Sequence, residues 1–229
     1  PSLIAFEDVI WGERGILSSR REGLIVMECS TLSVGDKQRA HDDLLAAGMV
    51  LLDCPISGGI RAAEKDLVMY GSGKKEAYEK CLPIIDSFAR ANYYLGEFGN
   101  GMKMKILANL LVAIHNVSSA EAMVLGMKAG LDPELIYTVM KDSSGRSRML
   151  EVRGPRMVSD NYDNPSMKVK VFQKDLKIIE SFAASLNCPT PLFASCNQVY
   201  LGALAMGLEN QDTASVCAVL EEWAHLQRK

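Results

Sequence analysis

Lys105 and Asn109 stand four residues apart in a stretch free of helix breakers, so on a helix their side chains share one face, a turn apart. Asn116 falls on the same stripe, while Ile106, Leu110, Ile114 and Val117 supply an apolar side. An amine and an amide aligned beside a core-facing surface can grip one small polar ligand. Burial disfavours the charged amine, which suits a lysine to acid–base work. The same spacing also fits an exposed lysine with an amide neighbour, so the pair alone does not decide. A second candidate is DCPISGG, Asp53 to Gly59, at the carboxyl end of an apolar run. Open α/β sheets bind ligands at strand ends. Ser57 offers a hydroxyl, and Gly58 with Gly59 lets a carboxylate approach main-chain N–H groups. Ser30 and Thr31 end the preceding apolar run and would open onto the same crevice; as an N-cap, Thr31 needs no further role.

The elements that must position these residues follow from periodicity. Leu24–Cys29, Met49–Cys54, Leu67–Gly71 and Asn92–Gly96 have the length and apolar content of strands, the first as a parallel strand buried on both faces. Helices are predicted over about 34–47, capped by Thr31 or Ser33 and ended by Gly48, and over 74–90 with Pro83 near the middle. This alternation predicts an α/β layer. Past Gly99 the pattern is helical throughout. One helix runs from Met102 to Ala129, about 40 Å at ~1.5 Å per residue. Others are predicted from Asp132-Pro133, over Arg146–Val158 and Val171–Leu186, from Pro191, and over Asp212–Gln227. The change of class near residue 98 divides the chain into 1–97 and 98–229, bridged by the long helix.

Two phosphate-like motifs fail on their details. GNGMKM, Gly99 to Met104, has Met104 where a dinucleotide fingerprint needs its third glycine, and no strand follows with a ribose-binding acid. GSGK, Gly71 to Lys74, lacks the earlier glycine and the following Ser or Thr of a P-loop. His41, His115 and His225 share no metal spacing with thiols or carboxylates, so no metal is expected. Six cysteines without a CxxC pair read as reduced thiols. A hydrophobic share of 48% and a charged share of 23% suit a globular chain, and a net charge of -3 argues against nucleic acid. No apolar run is expected to approach the ~20 residues of a membrane span. The chain starts at Pro1 with no signal-peptide pattern, which reads as a fragment or processed chain of cytoplasmic location.

Taken together, the motifs resemble those of the β-hydroxyacid dehydrogenases, which include 3-hydroxyisobutyrate, L-threonate and 6-phosphogluconate dehydrogenases. DCPISGG resembles the family's substrate-binding D-x-P-V-S-G-G, and GNGMKMKILAN its G-x-G-x-x-x-K-x-x-N-N signature, which puts the catalytic lysine at Lys105 rather than Lys103. CSTLS is similar to the segment beside the nicotinamide, and FQKDL to the K-D-L element of the helical domain. SSGRSRML and GLENQDTASV are similar to the L-threonate branch. Ala108 replaces the first Asn of the pair, and the loop after Gly59 is one residue shorter than the family's. No G-x-G-x-x-G occurs in the 229 residues.

The resemblance implies that residues 1–97 are the C-terminal part of a dinucleotide-binding α/β domain, a partial Rossmann-type sheet. It implies that 98–229 are an interdomain helix with an all-helical substrate and oligomerisation domain. The implied reaction is hydride transfer between NAD or NADP and a short 3-hydroxy acid. Lys105 would act on the hydroxyl proton, and Asn109 would hold the same oxygen. Ser57, Gly58, Gly59 and Lys174 would bind substrate; Ser30, Thr31, Lys174 and Asp175 would face the cofactor. Lacking the glycine-rich turn, the chain alone is expected to bind cofactor poorly and to associate with a second copy. A non-catalytic oligomerisation module is the rival reading, against which stand Lys105, Asn109, Ser57 and Lys174 together.

Overall fold

The computed structural model describes residues 2–58 and 66–228. Gly59 and the rest of the loop to Lys65 lie outside the described residues. The chain divides into two compact units, Pro1–Ala108 and Asn109–Lys229.

The first unit is an α/β layer. Strands β1 (Ile25–Glu28) and β2 (Val50–Asp53) pair in parallel, with Ile25 opposite Val50 and Glu28 opposite Asp53. Around β4 (Leu67–Gly71) a second sheet forms, antiparallel to the short β3 (Ile56–Ser57) and parallel to β5 (Ala89–Tyr94). Reciprocal backbone hydrogen bonds between Asp53 and Ser72 link the end of β2 to the end of β4. Helices α1 (Leu3–Trp11), α2 (Val34–Ala46) and α3 (Lys75–Phe88) cover these strands. Successive side chains of β2 point to opposite faces. Leu51 enters a core with Phe6, Ile10, Ala40 and Leu44, whereas Leu52 enters one with Met69, Tyr78 and Ile85. β2 is therefore buried on both faces, whereas β1, the strand for which the sequence predicted this, is only half-buried over Ile25–Met27.

Sequence reading missed helix α1, strand β3 and a 3-10 turn over Leu17–Ser19 here. Helix α1 carries its own signals: Ser2 caps it by accepting from the Ala5 N–H at 3.2 Å, and Phe6 and Ile10 are buried one turn apart. Strand β3 is too short for periodicity to register. β5 starts at Ala89 rather than Asn92, because Ala89 passes directly from the C-cap of α3 into extended backbone without a turn residue. Of the two candidate caps of α2, Ser33 holds the position, accepting from the Asp36 N–H at 3.0 Å.

Helix α4 (Asn100–Lys128) leads into the second unit, which is helical: α5 (Pro133–Asp142), α6 (Arg148–Ser159), α7 (Val169–Ser185), α8 (Pro191–Ala205) and α9 (Val216–Trp223). Asp132, Ser147 and Thr190 occupy the caps before α5, α6 and α8. The expected helix over 212–227 is broken up. Asp212 caps a short 3-10 turn, Thr213–Ser215, and α9 follows. The cause is a buried ion pair. Asp212 is fully buried, pairs with Arg153, and accepts backbone hydrogen bonds from Ser166 at 2.8 Å and Ala214 at 3.0 Å. Burial by itself would raise its carboxyl, but the Arg153 guanidinium and these N–H donors outweigh it and hold the group below the usual carboxylate range.

The expectation that no stretch is long and apolar enough to span a membrane needs correcting. Helix α4 reaches a mean hydropathy of 1.4 over its most apolar stretch. Its buried amides are those of a core helix in a folded unit. Asn116 donates to the Tyr200 hydroxyl at 2.9 Å and to the Thr213 carbonyl at 2.8 Å. Length and composition alone cannot separate the two cases.

Candidate active site

In the first unit, the candidate residues gather at the carboxyl ends of β1 and β2. Ser30 and Thr31 follow β1 in irregular backbone and are half-buried. The Ser30 N–H donates to the Glu28 carboxylate at 2.8 Å, which pins the start of this segment to its own strand. After β2, Asp53 leads through Cys54 and Pro55 into β3, where Ser57 pairs with Val68. Gly58 has φ of 123°, and a Cβ there would stand 2.6 Å from the Asp66 carbonyl oxygen, so only glycine fits without strain. Ser57 thus sits in a short paired strand.

The start of α4 docks onto the same strand ends. Gly99 takes a left-handed φ of 88° to turn the chain into the helix. At Gly101 a Cβ would collide with the Tyr70 carbonyl and lie 2.7 Å from that of Asp53. The Met102 N–H donates to Asp53 Oδ2 at 2.7 Å, and the Gly101 N–H to the Ser72 hydroxyl at 2.9 Å. A carboxylate at a helix N-terminus is doubly favoured, by the bond and by the helix dipole. These donors are committed to the protein, which explains why G-N-G here is no phosphate cradle: both glycines serve close backbone docking. The result is that Lys105, half-buried one turn further on, is held by a helix start anchored to β2 and β4.

Sequence reasoning missed the residue at the centre of this arrangement. Lys37, on α2, is fully buried, with its ammonium 2.7 Å from Asp53 Oδ1 and 2.6 Å from Glu28 Oε2. A lysine in an exposed-looking helix sequence, VGDKQRA, gives no local sign of burial. Only its position one turn after Ser33 could have hinted that it faces the strand ends. Nearby, burial first and the Glu28 carboxylate second push the Cys29 thiol up to about 11, so this cysteine is protonated at neutral pH. All six cysteines are free thiols.

In the second unit, Asn109 is buried on α4 and donates to Asp175 Oδ2 on α7 at 3.0 Å. The other oxygen of Asp175 accepts from Lys174 at 2.8 Å. One buried carboxylate therefore orients both an amide and an ammonium. Asn116, on the stripe shared with Lys105 and Asn109, parts from them: its bonds to Tyr200 and Thr213 make it a packing amide of the helical core. Among the described residues no cluster of His, Cys, Asp and Glu could hold a metal ion.

Two family models match the chain, one in each part of the sequence. A family model described as the NAD-binding of NADP-dependent 3-hydroxyisobutyrate dehydrogenase matches residues 99–220. A second, the NAD binding domain of 6-phosphogluconate dehydrogenase, matches residues 3–96. The L-threonate dehydrogenase of Haemophilus influenzae is 34% identical over 213 residues, which are 92% of this chain and 70% of that protein. A crystal structure of a 3-hydroxyisobutyrate dehydrogenase from Salmonella typhimurium superposes with a TM-score of 0.86 at 30% identity, over 95% of this chain and 76% of that one. Psf3, solved in complex with NADP+ and 2-OPP, superposes with a TM-score of 0.85 at 26% identity, over 96% of this chain and 78% of that one.

Proposed function

Because the chain belongs to the β-hydroxyacid dehydrogenase family, we propose that it oxidises a short 3-hydroxy acid of the L-threonate or 3-hydroxyisobutyrate type, with Lys105 as the proton-transfer group. The activity class is that of the NAD(P)-dependent hydroxyacid dehydrogenases. The observation that carries the residue assignment is the order imposed on α4. Lys105 follows directly on the Asp53-anchored helix start, and Asn109, one turn later, is held by Asp175.

In this reading Lys105 accepts the substrate hydroxyl proton in oxidation and returns it to the carbonyl oxygen in reduction. Asn109 holds that oxygen, and Asp175 fixes the amide and the Lys174 ammonium. Ser57, Gly58 and Gly59 receive the carboxylate, with Lys174 as a further cationic partner. The nicotinamide, when bound, supplies or takes the hydride. The donor set at the end of β1 fits its carboxamide edge, since the half-buried hydroxyls of Ser30 and Thr31 can each donate and accept. The two helix starts at these strand ends do not fit a pyrophosphate. Those of α4 are bonded to Asp53 and Ser72, and α2 carries Asp36 in its first turn, whose charge opposes a phosphate. We therefore propose that the 229 residues by themselves bind the nucleotide weakly, and that the full site needs a further pyrophosphate-binding element.

The test is a panel of L-threonate, 3-hydroxyisobutyrate and other short hydroxy acids, assayed by nicotinamide absorbance with NAD+ and NADP+, on this chain and on a form extended upstream. Turnover of a 3-hydroxy acid by the extended form is expected. Tight nucleotide binding by the 229-residue chain in calorimetry would overturn the weak-binding proposal, and a panel without any turnover would overturn the substrate assignment. A role in self-association is also proposed, from Leu107 and Leu111, about half exposed and one turn apart on α4. Light scattering showing only monomer would remove it.

A further inference from the structure

We propose that Lys37 is a positioning residue that ties the Ser30–Thr31 segment to the start of the helix carrying Lys105. The chain of contacts is continuous and lies within the first unit. The Ser30 N–H donates to Glu28 Oε1 at 2.8 Å. Glu28 Oε2 forms an ion pair with Lys37 Nζ at 2.6 Å. Lys37 Nζ donates to Asp53 Oδ1 at 2.7 Å, and Asp53 Oδ2 accepts from the Met102 N–H at 2.7 Å. Three charged residues from α2, β1 and β2 thus join two segments that are 70 residues apart in sequence between Ser30 and Asn100.

Physical cost argues that this arrangement is more than filling. An ammonium with no exposure is expensive to bury, and a well-packed apolar side chain of the same volume is often as stable or more so. What an apolar residue cannot do is hold two carboxylates at fixed positions. Here each carboxylate uses its second oxygen to fix a backbone N–H, one at the hydroxyl-bearing segment and one at the helix start. The Cys29 and Cys54 thiols, which also feel the Lys37 charge, are pushed up by burial and so neutral. His41, one turn along α2, stacks on Phe98 at a centroid distance of 4.2 Å instead. Asp53 therefore acts through Met102 on the placement of Lys105, and Lys37 acts through Asp53.

The inference deepens the proposed function, but its primary readout needs no turnover. Hydrogen exchange of the full chain is followed by mass spectrometry in three segments: Ser30–Ser33, Gly101–Lys105 and, as a control, Val169–Ser185. In Lys37→Met both of the first two segments are expected to exchange about tenfold faster or more, with the control unchanged. That variant leaves two buried carboxylates face to face and is at risk of not folding. Glu28→Gln/Lys37→Met keeps the network's net charge and guards against that failure. If Lys37 tethers, both segments still exchange faster in the double variant. If it only neutralises charge, the double variant exchanges like the wild type, and the proposal is overturned. It is equally overturned by a response in one segment alone, or by uniform acceleration that includes the control. With an active protein, kcat in the double variant is expected to fall about tenfold while KM stays within about twofold. Absence of activity in the wild type would count against the substrate assignment and leave the exchange result to decide the tether.

Discussion

The two units bury polar side chains for different ends. In the α/β unit, buried charge sits where strands finish: Glu28 and Asp53 end β1 and β2, and Lys37 bridges them. Their free oxygens grip backbone N–H groups, so the charges shape the main chain. In the helical unit, buried polar side chains pair across elements, and Asp212 also grips the Ser166 and Ala214 N–H groups. Asn109 meets Asp175, Asn116 meets Tyr200, and Arg153 meets Asp212. The difference follows from backbone geometry. Strand ends leave main-chain donors to be satisfied, whereas a helix satisfies its own interior and leaves only its side chains to bond across.

Substitutions can break or sharpen that contrast. The largest effect is expected at the helix that serves both kinds. Lys105→Ala should lower kcat/KM for the hydroxy acid by about 10²–10⁴-fold with the melting temperature little changed, which steady-state kinetics beside calorimetry will check. Near-normal kcat would remove Lys105 from the reacting centre. In the helical unit, Asp212→Ala strands the Arg153 guanidinium in the interior and should cost about 3–5 kcal/mol in denaturant unfolding. A loss under about 1 kcal/mol would show that the pair is dispensable to the helical core.

The pH dependence of that same pair has a definite sign. The folded-state pKa of Asp212 is lowered, so its stabilisation is present above the unfolded carboxylate value of about 3.9 and is lost as pH falls toward the depressed one. Melting temperature measured from pH 6 to pH 2 should therefore drop more steeply below about pH 4 in the wild type than in Asp212→Asn. Parallel curves for the two proteins would assign the acid sensitivity elsewhere.

Gly101→Ala probes the backbone docking peculiar to the first unit. Its Cβ would press on the Tyr70 and Asp53 carbonyls, and about 1–3 kcal/mol of stability should be lost, with kcat falling as the helix start shifts. Wild-type stability in this variant would mean that the approach is looser than it looks. The smallest effect is expected on the outside. Breaking the exposed Lys75–Glu79 pair, 3.8 Å apart one turn along α3, should change stability by about 0.5 kcal/mol or less.

Much of the fold was legible from local rules. β4 begins and ends at Leu67 and Gly71 as read from its apolar run, and α5 begins after the Asp132 cap with Pro133 in its first turn. The long helix was visible in an uninterrupted period, whereas Lys105 and Asn109 were singled out by the family motif, their spacing alone leaving the matter open. Helix α1 is legible too, through its Ser2 cap and the Phe6–Ile10 pair. The broken final helix was not legible, because Arg153, 59 residues away, decides where Asp212 points.

By itself, the sequence determined which segments become helix or strand and which side chains could do chemistry, because periodicity, capping and residue type act over a few neighbours. It also determined the family, because several short motifs occur together in order. Tertiary structure alone decided how the candidates part company. Asn109 turns to a carboxylate on α7, while Asn116, two turns on, is spent on packing. It alone decided that Lys37 lies at the heart of the strand ends. Burial, and the partners that make burial tolerable, are set by residues distant in the chain, and no local pattern records them.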